Sequence, residues 1–86
     1  MSGKLKTAAD FGRAVRELRE RQKLTTVELA RRSGRSRDLI YRLESGRDVS
    51  TSAIFDVLRA LESSVELGSA ALPTLEEMQQ RFREPG

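Results

Sequence analysis

The chain contains no cysteine and no histidine. The first absence excludes disulfides and thiolate metal sites, and it fits a reducing cytoplasm. The second removes the side chain most often used as a general base or metal ligand at neutral pH. There is no Gly-rich phosphate loop, and the helical reading below brings no pair of carboxylates together in a cleft. The single tyrosine, Tyr41, falls on an outward helix position. Catalysis is left without candidates, so neither a catalytic residue nor a metal or cofactor site is expected. Long apolar runs are missing too. No segment approaches the roughly 20 residues needed to cross a bilayer, and the N-terminal MSGKLKT has no apolar signal-peptide core. No helix joins a Lys/Arg face to an exposed bulky apolar one, which argues against a membrane surface. The expectation is a soluble cytoplasmic protein that is not an enzyme.

What is present is charge, unevenly placed. A length of 86 residues gives one domain with a modest core. Residues 1–50 carry 13 basic and 7 acidic side chains, a balance of +6; residues 51–86 carry 3 and 6, a balance of −3. A basic body with an acidic end suits a polyanion ligand for the first part and a different use for the second.

Apolar periodicity predicts four helices over residues 8–62, after a flexible basic arm at 1–7. Thr7 with Asp10 forms a capping pattern, and Phe11, Val15 and Leu18 then recur at helical spacing over about 8–22. Thr25 with Glu28 opens a second, short helix that buries Leu29 and Ala30 and ends at Gly34, the left-handed cap. Ser36 caps a third helix over about 37–45, with Ile40 and Leu43 inward and Gly46 closing it. Ser50 or Thr51 starts a fourth, carrying Ile54, Val57, Leu58 and Leu61. These apolar positions make one core. From Ser64 to Gly68 the period becomes alternating, which predicts either a short strand at 63–68 pairing with the same strand of a second subunit through Val65 and Leu67, or an irregular exit. Residues 69–86 form a tail in which Pro73 to Glu77 resembles a helix start and Leu75, Met78 and Phe82 share a face. That tail is either a helix docked on the body or a partner-binding segment that orders on contact.

Burying Ile40 and Leu43 turns Arg37, Asp38, Tyr41 and Arg42 outward on the third helix. An arginine fork donates two parallel hydrogen bonds to guanine, worth about 1–3 kcal/mol of discrimination. Asp38 either accepts from a cytosine amino group or pairs with Arg42 one turn on. Tyr41 offers ring area to a thymine methyl and a hydroxyl to phosphate. Helix starts supply free N–H groups for phosphates, which selects Thr25 and Thr26, joined by Ser45, Arg47 and Arg35.

The run LTTVELARRSGRSRDLIYRLESG, from Leu24 to Gly46, closely resembles the lambda-repressor-like (Xre) helix-turn-helix family. The resemblance implies an all-α fold of four to five helices whose third helix enters the major groove of double-stranded DNA. It places Ser36 at the groove edge and gives Arg37, Asp38, Tyr41 and Arg42 the base-reading positions. It also implies a structural ion pair between Arg19 and Glu44. Three departures are visible. Thr26 stands where the family usually has a phosphate-binding Gln, Arg35 where it packs Val or Ile, and the loop after Gly46 is about one residue short. The following LRALESSVELG is similar to the HipB-type antitoxins, in which such a strand pairs across a homodimer, the protein represses its own operon, and a kinase-like HipA-type toxin is the partner. The expected function is a homodimeric repressor of a palindromic operator, bacterial, cytoplasmic and nucleoid-associated when bound, and the antitoxin of an autoregulated operon. The other reading is a stand-alone repressor with no toxin.

Overall fold

The computed structural model describes residues 4–68, and four α-helices account for most of them. They are α1 (Ala8–Arg21), α2 (Thr26–Ser33), α3 (Arg37–Glu44) and α4 (Thr51–Ala60). Each begins at a hydroxyl residue, because the first turn of a helix leaves N–H groups that need an acceptor. The Thr7 hydroxyl accepts from the Asp10 N–H, and the Asp10 carboxylate accepts in return from the Thr7 N–H. Thr25 and Glu28 make the same reciprocal box at α2. Ser36 and Ser50 cap α3 and α4 through the Leu39 and Ala53 N–H groups. All four starts therefore follow from local sequence.

The ends differ in kind. Gly34 closes α2 at φ 72°, a left-handed turn that redirects the chain into α3. At the ends of α1 and α4 the left-handed residue is not glycine: Lys23 has φ 61° and Glu62 has φ 55°. A side chain there costs about 1–2 kcal/mol relative to glycine. Lys23→Gly or Glu62→Gly is accordingly expected to stabilise the fold by about 0.5–1 kcal/mol after the extra unfolded-state freedom of glycine is deducted, raising the melting midpoint by a few degrees. A lower midpoint in both variants would refute this.

The helices pack α1 on α3, α2 on both α3 and α4, and α3 on α4. Val15, Leu29, Ile40, Val57 and Leu61 are fully buried at the centre. Leu24, Leu39 and Ala53 join that core although helical periodicity did not select them, while Phe11, Leu18 and Ile54 sit at its margin, half-buried. The Gln22 side-chain amide donates to the Leu61 carbonyl at 2.9 Å, tying the end of α1 to the end of α4.

After Ser63 the chain leaves α4 without regular structure, and there is no strand among the described residues. A strand needs a partner ladder, and one chain offers none here. The N-terminal arm is tied at its inner end, where the Lys6 N–H donates to Asp10 at 3.0 Å. Leu75, Met78 and Phe82 lie outside the described residues.

Candidate nucleic-acid interface

Burying Leu39, Ile40 and Leu43 fixes which way α3 faces. The opposite side presents Arg37, Asp38 and Tyr41, all exposed, with Tyr41 showing 60% of its surface. Those three side chains and Thr26, from the first turn of α2, line one shallow concavity. The start of α2 and the exposed face of α3 are thus combined in a single surface feature.

The two outward arginines of α3 are not equivalent. Arg42 donates from Nε to Asp38 Oδ2 at 3.0 Å, and its Nη1 lies 3.5 Å from the Asp48 carbonyl. Of the two roles considered for Asp38, pairing with Arg42 is the one formed in the free protein. Arg37 makes no ion pair among the described residues and keeps its whole fork for a ligand. Arg47 and Ser45, at the end of α3, are likewise exposed.

The α2 start is not a row of bare donors. Its capping box uses the N–H groups of Thr25 and Glu28, which leaves those of Thr26 and Val27 to an outside acceptor. Ser36 uses its hydroxyl lone pair on Leu39 and retains the proton to donate.

Arg35 behaves unlike the other candidates. Its side chain turns onto α4, where Nε donates to Asp56 Oδ2 at 3.0 Å and Nη2 approaches the same oxygen at 2.8 Å. Asp56 also takes Arg59 on its other oxygen at 2.7 Å. The half-buried Arg35 guanidinium finds its carboxylate in Asp56. The turn between α2 and α3 is thereby fastened to α4 by charge, and the Arg35 guanidinium is occupied in the free protein.

Behind this face, α1 holds α3. Arg19 forms a two-point pair with Glu44, Nε to Oε2 at 2.6 Å and Nη2 to Oε1 at 3.0 Å, and its Nη1 donates to the Leu24 carbonyl at 2.9 Å. The hydrogen bonds that Arg19 donates to the Glu44 carboxylate hold the guanidinium more firmly protonated than usual. Gly12 lies against the end of α3 so closely that a Cβ would fall 2.5 Å from the Leu43 carbonyl oxygen. Gly46, after α3, is packed on Ala8 and Ala9. Neither Gly12 nor Asp56 was identifiable from periodicity, since the first is a missing side chain and the second an ordinary outward acid.

Three carboxyls are held below their ordinary range. The Lys6 N–H does this for Asp10, the Thr25 N–H for Glu28, and Arg35 followed by Arg59 for Asp56. A carboxyl with a depressed pKa binds protons less readily folded than unfolded. Its contribution is complete above the ordinary values of 3.8 for Asp and 4.5 for Glu, and is lost as the pH falls through the lower folded values. With no histidine to titrate, the melting midpoint is expected to stay flat from pH 8 to about pH 5 and to fall below about pH 4. A step between pH 7 and 6 would contradict it.

No helix among the described residues is long and apolar enough to cross a membrane, and no group of His, Cys, Asp and Glu among them is placed to hold a metal ion.

A family model described as a helix-turn-helix domain matches residues 10–76. No curated protein matches the chain. Among solved structures, a complex of a HipB variant with an O2 20mer superposes with a TM-score of 0.76 at 24% identity, covering 83% of this chain and 100% of that one. A HipB–O4 20mer complex gives 0.75 at 24% identity, and a HipA–HipB–O2–O3 complex 0.74 at 22%, each over 81% of this chain and 100% of theirs. At these identities the likeness is one of fold, and the HipB fold is the one this chain adopts.

Proposed function

Because this chain belongs to the helix-turn-helix domain family, we propose that it is a sequence-specific DNA-binding transcriptional regulator, a homodimeric repressor of a palindromic operator. The observation that carries this reading is the grouping of Arg37, Asp38, Tyr41 and Thr26 on one face, on a helix braced from behind by Gly12 and the Arg19–Glu44 pair. Arg37 reads a base, Arg42 reads from a position set by Asp38, and Ser36 sits at the groove edge. Phosphates are met by Thr25, Thr26, Ser45 and Arg47. Arg35 joins them only if DNA outcompetes Asp56.

The fold shared with a HipA–HipB–DNA assembly supports the finer proposal of an autoregulating antitoxin with a kinase-like toxin as partner. Here Val65 and Leu67, exposed by 41% and 97%, pair across the dimer as a short lid, and the segment holding Leu75, Met78 and Phe82 offers itself to the toxin. A chain with this role works in the bacterial cytoplasm and carries no catalytic residue. A stand-alone repressor is distinguished by its operon: an unrelated neighbouring gene favours it, and a toxin-like neighbour favours the antitoxin.

The test is footprinting on the chain's own promoter at two salt concentrations. Two protected half-sites about 34 Å apart are expected, with affinity falling steeply as salt rises. A single half-site removes the homodimer from the proposal. Arg37→Ala is expected to shrink the ratio of operator to random-DNA affinity by roughly tenfold to a hundredfold, the equivalent of about 1–3 kcal/mol. If Arg37→Ala and Arg42→Ala both keep the original ratio, α3 is not the reader.

A further inference from the structure

The exposed side of α3 carries one acid, Asp38, whose side chain is 75% exposed. On a surface that meets a polyanion such a carboxylate is costly. Phosphate repels it, so it weakens every register in which no donor meets it. What it does in the right register follows from how it shares hydrogen-bonding groups with Arg42.

The two side chains are joined by one short contact. Arg42 donates through Nε to Asp38 Oδ2 at 3.0 Å, and its Nη1 reaches the Asp48 carbonyl only at 3.5 Å. A guanidinium has five N–H donors, so at least three of them, both on Nη2 included, remain for a ligand. Asp38 keeps capacity as well. Its Oδ1 has no partner among the described residues, and an ionised carboxylate accepts at both oxygens. Holding Arg42 by its Nε also removes rotamers that binding would otherwise have to freeze. Arg37, the neighbour of Asp38 in the chain, has no such anchor.

We propose that Asp38 and Arg42 act as one reader of two adjacent G·C pairs, Arg42 taking the guanine of one and Asp38 Oδ1 the cytosine amino group of the next. This deepens, and rests on, the reading of α3 as the helix that contacts DNA bases. Chemistry selects the bases. Guanine O6 and N7 accept the two N–H groups of an arginine fork, and cytosine N4 is the major-groove donor that a carboxylate matches. Spacing selects adjacency. The carboxylate and the guanidinium touch at 3.0 Å, and successive bases stack about 3.4 Å apart, so the free ends of the pair fall on neighbouring base pairs. A thymine O4 or guanine O6 in place of the cytosine amino group sets acceptor against acceptor. Asp38 therefore rejects wrong sequences as well as contacting the right one.

The test recovers bound duplexes from a pool with about 20 randomised base pairs and sequences them. The full-length chain is compared with its Asp38→Asn, Arg42→Ala and Arg37→Ala variants. The parent is expected to select half-sites holding two adjacent G·C pairs, each enriched roughly tenfold or more over the alternatives. Asparagine must turn its carbonyl toward Arg42, which has no acceptor, and so aims its amide N–H groups where Oδ1 was. Asp38→Asn is thus expected to keep the guanine of the first pair and to lose the cytosine of the second about tenfold, in favour of a base that accepts. Arg42→Ala loses the guanine. Asp38 is exposed and the asparagine exchange preserves its shape, so the fold is retained. Parent half-sites without the adjacent pairs overturn the proposal with no substitution needed. An Asp38→Asn pool identical to the parent's overturns it too. In either case, loss of a separate base preference in Arg37→Ala leaves the DNA reading standing. A parent that enriches no sequence removes that reading together with the proposal.

Discussion

Gly12→Ala is expected to destabilise the protein by about 3 kcal/mol or more, against the usual sign for this exchange. In an exposed helix interior, alanine is favoured over glycine by about 1 kcal/mol, so propensity alone predicts a gain. The surroundings reverse it. A Cβ at position 12 falls 2.5 Å from the Leu43 carbonyl oxygen, 2.6 Å from that of Glu44 and 2.8 Å from the Glu44 carbonyl carbon. These are backbone atoms and cannot swing aside as a side-chain tip does. Either α1 or α3 must shift, and the overpacking cost, typically 1–3 kcal/mol and occasionally more, applies at its upper end. With a total stability near 5–15 kcal/mol for a domain of this kind, the melting midpoint should fall by well over 10 °C. The contrasting site is Gly34, where a Cβ meets nothing within 4 Å and alanine bears only the left-handed backbone, about 1–2 kcal/mol. Thermal melts of the two variants side by side check the ranking. Gly12→Ala melting at or above the parent would show that α1 and α3 do not cross where the structure places them.

The difference between these glycines also shows what the sequence could reveal. Gly34 was legible because a glycine after an apolar helical run announces its own function, a left-handed cap. The caps at Thr7, Thr25, Ser36 and Ser50 were legible for the same reason, since their partners lie three residues away. Gly12 was not, because its importance lies in a helix crossing 31 to 32 residues distant in the chain. Arg35 and Asp56 are 21 residues apart and form a pair that neither position announces. Leu24, Leu39 and Ala53 were missed for a related reason: they complete the core from a loop and from helix positions off the main apolar stripe. The outward side of α3 was readable from the inward positions of Ile40 and Leu43. The unequal freedom of Arg37 and Arg42 was not, because it depends on where Asp38 and the Asp48 carbonyl fall once the loop is folded. Periodicity reaches local structure and facing. Close approach and charge pairing between elements need the fold.

Glu44→Ala is expected to cost about 3–5 kcal/mol, the range for removing one partner of a buried pair. The pair qualifies because the Arg19 and Glu44 side chains are only 12% and 9% exposed, unlike the other ion pairs, which solvent screens. Without Glu44, the Arg19 guanidinium keeps its bond to the Leu24 carbonyl and loses both carboxylate contacts, leaving a charge poorly solvated between α1 and α3. Replacing both residues, as in Arg19→Met with Glu44→Leu, removes that stranded charge and should recover most of the loss, because well-packed apolar groups often equal or exceed a buried pair. The double variant separates scaffold from reader. If Glu44 only braces α3, the refolded double variant binds operator with the parent's preference over random DNA, while Arg37→Ala, with its stability intact, does not. Denaturant unfolding and operator competition on the same three proteins give both quantities. A double variant that regains stability but stays indiscriminate would mean that Glu44 contributes to recognition directly, and the division between brace and reading face would have to be redrawn.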